Sequence, residues 1–90
     1  MEKGIITVVG SDQVGIIAKV CTYLADTNVN ILDISQTIIS GYFTMMMIVD
    51  TSRSTKEFNV LTTEMAQLGE DIGVSIKLQH EDIFNKMHRL

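Results

Sequence analysis

The chain has no proline, a single cysteine, and only seven lysines and arginines against eleven aspartates and glutamates. Each scarcity removes a class of protein. With no proline-rich, serine-rich or repeated tract, nothing divides the 90 residues into parts joined by a linker. Separate cores appear only beyond roughly 250 residues, so one domain is expected. One cysteine, Cys21, excludes an intrachain disulfide framework and any four-cysteine zinc or iron–sulfur centre. The basic residues Lys3, Lys19, Arg53, Lys56, Lys77, Lys86 and Arg89 are scattered, whereas nucleic-acid binders concentrate them against phosphates. No apolar run approaches the roughly 20 residues that span a bilayer, and no basic segment leads into an apolar one. A cytoplasmic, reducing compartment is the expectation.

What is present is core material: 46% of the residues are hydrophobic and 20% charged, unlike a disordered chain. Ile5-Ile6-Thr7-Val8-Val9, between Gly4 and Gly10, reads as a buried strand. Ile17, Val20, Cys21 and Leu24 then recur at helical spacing from about Val14 to Thr27, with Ser11 or Asp12 as the expected cap. After the turn-like Asp26-Thr27-Asn28 the period returns to two. Leu32, Ile34 and Ile38 alternate with Asp33, Ser35 and Thr37, and Gln36 is a polar exception on the apolar side. Ser40-Gly41 predicts a hairpin turn into Tyr42–Asp50. That strand is apolar on both faces, with Phe43, Met45, Met47 and Val49 on one and Tyr42, Met46 and Ile48 on the other.

Ser54 and Glu57 have the spacing of a capping box, followed by a helix with Phe58, Leu61, Met65 and Leu68 on one face. Gly69 or Gly73 is expected to end it. Val74, Ile76 and Leu78 alternate with polar residues as a fourth strand, and Ile83, Phe84 and Met87 make the stripe of a short terminal helix. The order βαββαβ predicts an α+β, ferredoxin-like sandwich: a four-stranded antiparallel sheet with two helices on one face. Right-handed crossovers put the first and third strands in the centre. Residues 1–80 form this unit, and 81–90 a helical extension of the same domain.

A fold this widely used leaves function to its sites. The chain lacks the clustered cysteines of a ferredoxin and the Cys-x-x-Cys loop of a heavy-metal chaperone. It also lacks the basic flanks of an RNA-recognition domain and the first-loop arginine of an acylphosphatase. Cys21 lies on the apolar stripe of the first helix and reads as core. His80 and His88 are too few for a metal site, Met45–Met47 reads as core filling, and no nucleophile–base–orienter set points to catalysis. No cofactor is expected.

The remaining feature is the loop Gly10-Ser11-Asp12-Gln13-Val14-Gly15-Ile16. Its glycines allow a sharp turn and a close approach, and its N–H groups sit at a helix N-terminus that favours an anion such as a carboxylate. Asp12 and Asn30 could accept an ammonium group. The same residues also fit a structural reading in which the glycines permit packing and Asp12 caps. Val-Val-Gly-Ser-Asp-Gln-Val-Gly-Ile at 8–16, with Asn30-Ile31 opening the second strand, resembles the ACT domain family over about residues 3–79. The single-domain form, with Asp33–Thr37 and Tyr42–Met46, is similar to the small stand-alone ACT proteins. The resemblance implies a regulatory module that binds amino acids or similar effectors between paired domains, with Gly10–Gly15 and Asn30 in contact with the effector.

Topology adds that the first loop and Asn30 fall at opposite ends of the sheet. A shared effector site therefore requires a homodimer, with the edge strand over Leu32–Ile38 paired to its copy. The terminal stripe could fold back on the sheet, or dock on the second subunit or on a separately encoded enzyme. In the alternative reading the sheet and terminal helix bind another protein and the ligand loop stays empty.

Overall fold

Six elements follow in the expected order in the computed structural model, which describes residues 2–11 and 14–82. They are β1 (Lys3–Ser11), α1 (Ile16–Asp26), β2 (Asn30–Ile39), β3 (Tyr42–Asp50), α2 (Phe58–Ile72) and β4 (Val74–His80). The strands pair antiparallel in the order β2-β3-β1-β4, so the two most apolar strands take the centre. This is the predicted ferredoxin-like arrangement. The expected terminal helix, with Ile83, Phe84 and Met87, lies beyond Asp82 and outside the described residues.

The two-residue period of the strands and the longer period of the helices meet in one core. Ile6 and Val8 from β1 and Met45, Met47 and Val49 from β3 are fully buried together with Val20 of α1 and Met65 of α2. Cys21 packs against this cluster from the side. On the other sheet face Tyr42 and Met46 are 65% and 39% exposed, so β3 is two-faced as its sequence predicts. The methionine run therefore divides, with Met45 and Met47 filling core space and Met46 facing away from it.

Both helix starts depart from expectation. Residue Ser11 ends β1 instead of capping α1, Asp12 lies outside the described residues, and α1 begins after Gly15, with no side-chain cap among the described residues. The capping box at Ser54 does not form. Ser54 Oγ instead donates to the Lys56 carbonyl at 2.8 Å and accepts the Lys56 N–H at 3.1 Å. The cause is tertiary: the Thr55 N–H donates to the Thr27 carbonyl at 3.0 Å, which ties this loop to the end of α1. The helix then starts at Phe58, behind an extended Glu57. Of the two candidate stops, Gly73 is the real one, left-handed at φ 78°. Gly69 stays helical and buried because α2 crosses β4 there.

The edge strand carries the other departure. Residues Ile34, Gln36 and Ile38 stand opposite Met47, Met45 and Phe43, which places them on the helix-facing side as the alternation predicts. A bulge between Ile31 and Asp33 makes Leu32 an extra, unpaired residue and removes it from that stripe. Ile34 and Ile38 remain 43% and 53% exposed, beside the open cleft between α1 and the edge strand. At the hairpin Ser40 and Gly41 both take positive φ, the turn that matches strand twist. His80 stacks on Phe58 with ring centroids 3.6 Å apart. Among the described residues no helix is long and apolar enough to cross a membrane.

Two predictions test this packing. A Cβ at residue 69 would lie 2.7 Å from the Val74 carbonyl oxygen and 3.1 Å from the Ile76 amide nitrogen, both backbone atoms that cannot swing away. Gly69→Ala should destabilise the fold by about 1–3 kcal/mol in urea denaturation, outweighing the roughly 1 kcal/mol that alanine gains in a helix. A more stable variant would refute the contact. The second concerns Glu64, which accepts from Lys56 Nζ at 2.7 Å and from the Tyr23 hydroxyl at 2.8 Å and so links α2 to its leading loop and to α1. Lys56 first, and Tyr23 second, hold the Glu64 carboxyl below its usual range. A depressed carboxyl contributes stability above its unfolded pKa and loses it as pH falls through the folded one. Stability of the wild type should therefore decline on acidification through the carboxylate range, and Glu64→Gln should decline less when denaturant midpoints are followed against pH.

Candidate functional site

Along the connection after β1 the described residues serve different purposes. Gly10 lies in β1 between Phe43 and Val74, and a Cβ there would meet Val74 Cγ1 at 2.6 Å. Its glycine is accounted for by strand packing. Residue Ser11 pairs with Tyr42 and is exposed, Val14 is fully exposed, and Asp12 and Gln13 lie outside the described residues. Gly15 stands at φ 90° with open space where a Cβ would be, so backbone conformation alone requires glycine there. Buried Ile16 then anchors the first turn of α1 in the core. Helix geometry leaves the first N–H groups of α1 without helical partners, and the earliest intrahelical bond runs from the Lys19 N–H to the Gly15 carbonyl at 3.0 Å.

Beside that first turn lies an open cleft of about 420 Å³ between α1 and the edge strand. Gly15, Ile17 and Ala18 form one wall, and Gln36, Ile38 and Phe43 the other. Among the described residues, Gln36 is the only polar side chain lining it. The break in the apolar alternation at Gln36 was thus a readable signal of this cleft, and sequence reasoning noted the exception without assigning it.

Asn30 is elsewhere. It stands opposite Asp50, which stands opposite Lys3, whereas the loop end of the sheet is marked by Ser11, Tyr42 and Ile39 in the same register. Eight residue steps along β3 separate the two ends, about 26 Å at strand rise. The structure therefore does not bring Asn30 to the loop of its own chain. Ile31 is half-buried against the core and serves packing.

At the Asn30 end is a second cleft, of about 460 Å³, lined by Ala25, Asn28, Val29, Asn30, Asp50 and Arg53. Asp50 accepts from the Ser52 N–H at 3.0 Å and from its hydroxyl at 2.7 Å. These two bonds hold the carboxyl below its usual range. Asn28 is left-handed at φ 60°, and its side-chain amide donates to the Arg53 carbonyl at 2.9 Å. Asn28, Asp50 and Arg53 did not emerge from the sequence as site residues, since only the fold juxtaposes the end of α1 with the turn after β3.

A family model described as ACT domain matches residues 3–79. A UPF0237 protein of Bifidobacterium longum is 62% identical over 90 residues, the whole of both chains. An ACT domain protein from Streptococcus pneumoniae superposes with a TM-score of 0.81 at 42% identity, covering 92% of this chain and 93% of that one. A formyltetrahydrofolate deformylase from Pseudomonas syringae pv. tomato superposes equally well, with a TM-score of 0.81 at 22% identity. This chain covers only 28% of the deformylase, and the likeness is one of fold alone.

Proposed function

The chain belongs to the ACT domain family, within its UPF0237 group, and from that membership we propose a homodimeric regulatory domain whose effector, an amino acid, sits between subunits. The ACT domain is a regulatory, small-molecule-binding fold. Our reading assigns this chain no catalysis of its own. The observation that carries the shared site is the register, which sets the first loop and Asn30 at opposite ends of one sheet. If β2 pairs antiparallel with its copy, the two-fold axis sets Asn30 of one subunit beside the first loop of the other. The exposed edge favours this pairing, since Ile34 and Ile38 leave apolar surface beside unpaired strand groups.

In this site the effector carboxylate is held by backbone N–H groups of Gln13, Val14, Gly15 and Ile16, at the positive end of α1. Asp12 and Asn30 of the second subunit hold the ammonium. Gly10, Ser11 and Ile31 complete the effector-contacting set at its two ends. The Asp12 charge opposes a nearby carboxylate unless the ammonium lies between them, so the arrangement selects a zwitterion over a simple acid. A second reading, a module that docks on a separately encoded protein, is favoured by one observation. Val9, Ile39, Tyr42 and Met46 expose apolar surface on the open face of the sheet.

Two measurements test the reading. In a thermal-shift series with the common amino acids, the effector at a hundred times its dissociation constant adds about 2.7 kcal/mol and should raise the midpoint on the order of ten degrees. Gly15→Val should abolish that shift. Valine at φ 90° is itself strained, so its lower starting midpoint is the baseline for the comparison. A shift that survives Gly15→Val places the effector away from the loop, and no shift with any amino acid favours the docking module. Separately, size exclusion at micromolar concentration should show a dimer, and Ile34→Lys should convert it to a monomer. A wild-type monomer would remove the shared site.

A further inference from the structure

We propose that the cleft at the Asn30 end is a binding site for a free amino acid that is complete within one chain, with Arg53 taking the carboxylate and Asp50 the ammonium. The inference shares the ligand class of the reading above but places the ligand in a different cleft. Four observations carry it. The two charges line one cleft of about 460 Å³, yet no ion pair joins them, the Lys56–Glu64 pair being the only one among the described residues. Each is therefore available to a ligand. The Asp50 carboxylate accepts from Ser52 through one oxygen and is also approached by the Glu2 backbone amide, yet it keeps capacity for a further donor, because a carboxylate offers about four lone-pair sites. The exposed Asn30 carries a carboxamide, which can serve either end of a zwitterion.

The fourth observation is rigidity. The turn that carries Arg53 is tied on three sides. Asn28 donates to the Arg53 carbonyl at 2.9 Å, the Thr51 N–H to the Glu2 carbonyl at 2.8 Å, and the Thr55 N–H to the Thr27 carbonyl at 3.0 Å. A frame held in this way costs little to order when ligand arrives. Its polarity also selects. A bare anion gains Arg53 but meets Asp50, and a bare cation gains Asp50 but meets Arg53; only a molecule with both charges is complemented at both. Ala25 and Val29 supply the apolar part of the lining, in a volume suited to a small side chain.

The test is isothermal titration of the full chain with L-alanine, L-serine, L-valine and L-aspartate, each alone. At least one should bind, while its N-acetyl and its amide derivatives should not. Arg53→Gln and Asp50→Asn should each weaken it at least about tenfold, as loss of a charge-assisted bond does. Both variants leave the fold intact, because Arg53 is exposed and an asparagine oxygen still accepts from Ser52. Made in the Ile34→Lys monomer, Gly15→Val and Ile38→Asp disturb only the cleft beside the first loop, and binding that survives both but fails in Arg53→Gln assigns the ligand here. Failure of all four amino acids to bind overturns the proposal, as does unchanged affinity in Arg53→Gln. So does an equal loss in Gly15→Val and Ile38→Asp. A loss confined to those two variants would leave the loop site standing and remove this one.

Discussion

The antiparallel register about β3 constrains everything else in this molecule. Lys3, Asp50 and Asn30 lie in one row across the sheet, and Ser11, Tyr42 and Ile39 in another. Rows at opposite ends of a nine-residue strand cannot serve one small ligand. The two features that make the loop and Asn30 attractive as a site therefore either work through a second subunit or work separately. A register slip by one residue would turn every side chain of β3 to the other face and expose Met45 and Met47, so the burial of those two residues is what secures the separation.

The helices complete that constraint without covering the whole sheet. α2 lies close along β4, close enough that Gly69 touches the strand backbone, while the helix-facing Ile34 and Ile38 of β2 stay exposed. Coverage thus falls off across the sheet toward the edge. The bulge at Leu32 and the cleft beside Gly15 both occur on that thinly covered side, where extra backbone and open volume displace no core. The polar exception at Gln36 belongs here as well, because an amide is tolerated on the helix-facing side only where that side is open to water.

Much of this was legible in the residues. The runs at Ile5–Val9, Tyr42–Asp50 and Val74–Leu78 announce their strands through β-branched and alternating side chains, and the two helices announce themselves through spacing. The loop motif and Asn30-Ile31 point to the family. What could not be read depends on partners distant in sequence. The box at Ser54 has the right spacing, yet Thr55 is claimed by Thr27, 28 residues away. Gly69 looks like a stop, yet its meaning lies in the approach of Val74 and Ile76. Leu32 fits the alternation by sequence, and the bulge that excludes it is set by pairing with β3. Asp50 and Arg53 carry no motif at all; they line a cleft only because the end of α1 walls it from the other side.

The resulting molecule is polarised along its strands. Exposed apolar side chains gather toward the loop end, where Val9, Val14, Ile38, Ile39 and Tyr42 stand, while charge gathers at the other, with Lys3, Asp50 and Arg53. An edge-paired dimer would bury Ile34 and Ile38 and, being antiparallel, would lay the apolar end of each copy beside the charged end of the other. A partner on the open sheet face would bury Val9, Tyr42 and Met46 instead. The two contacts use different residues, so neither excludes the other. A domain that pairs through its edge would still offer this apolar face to a second protein.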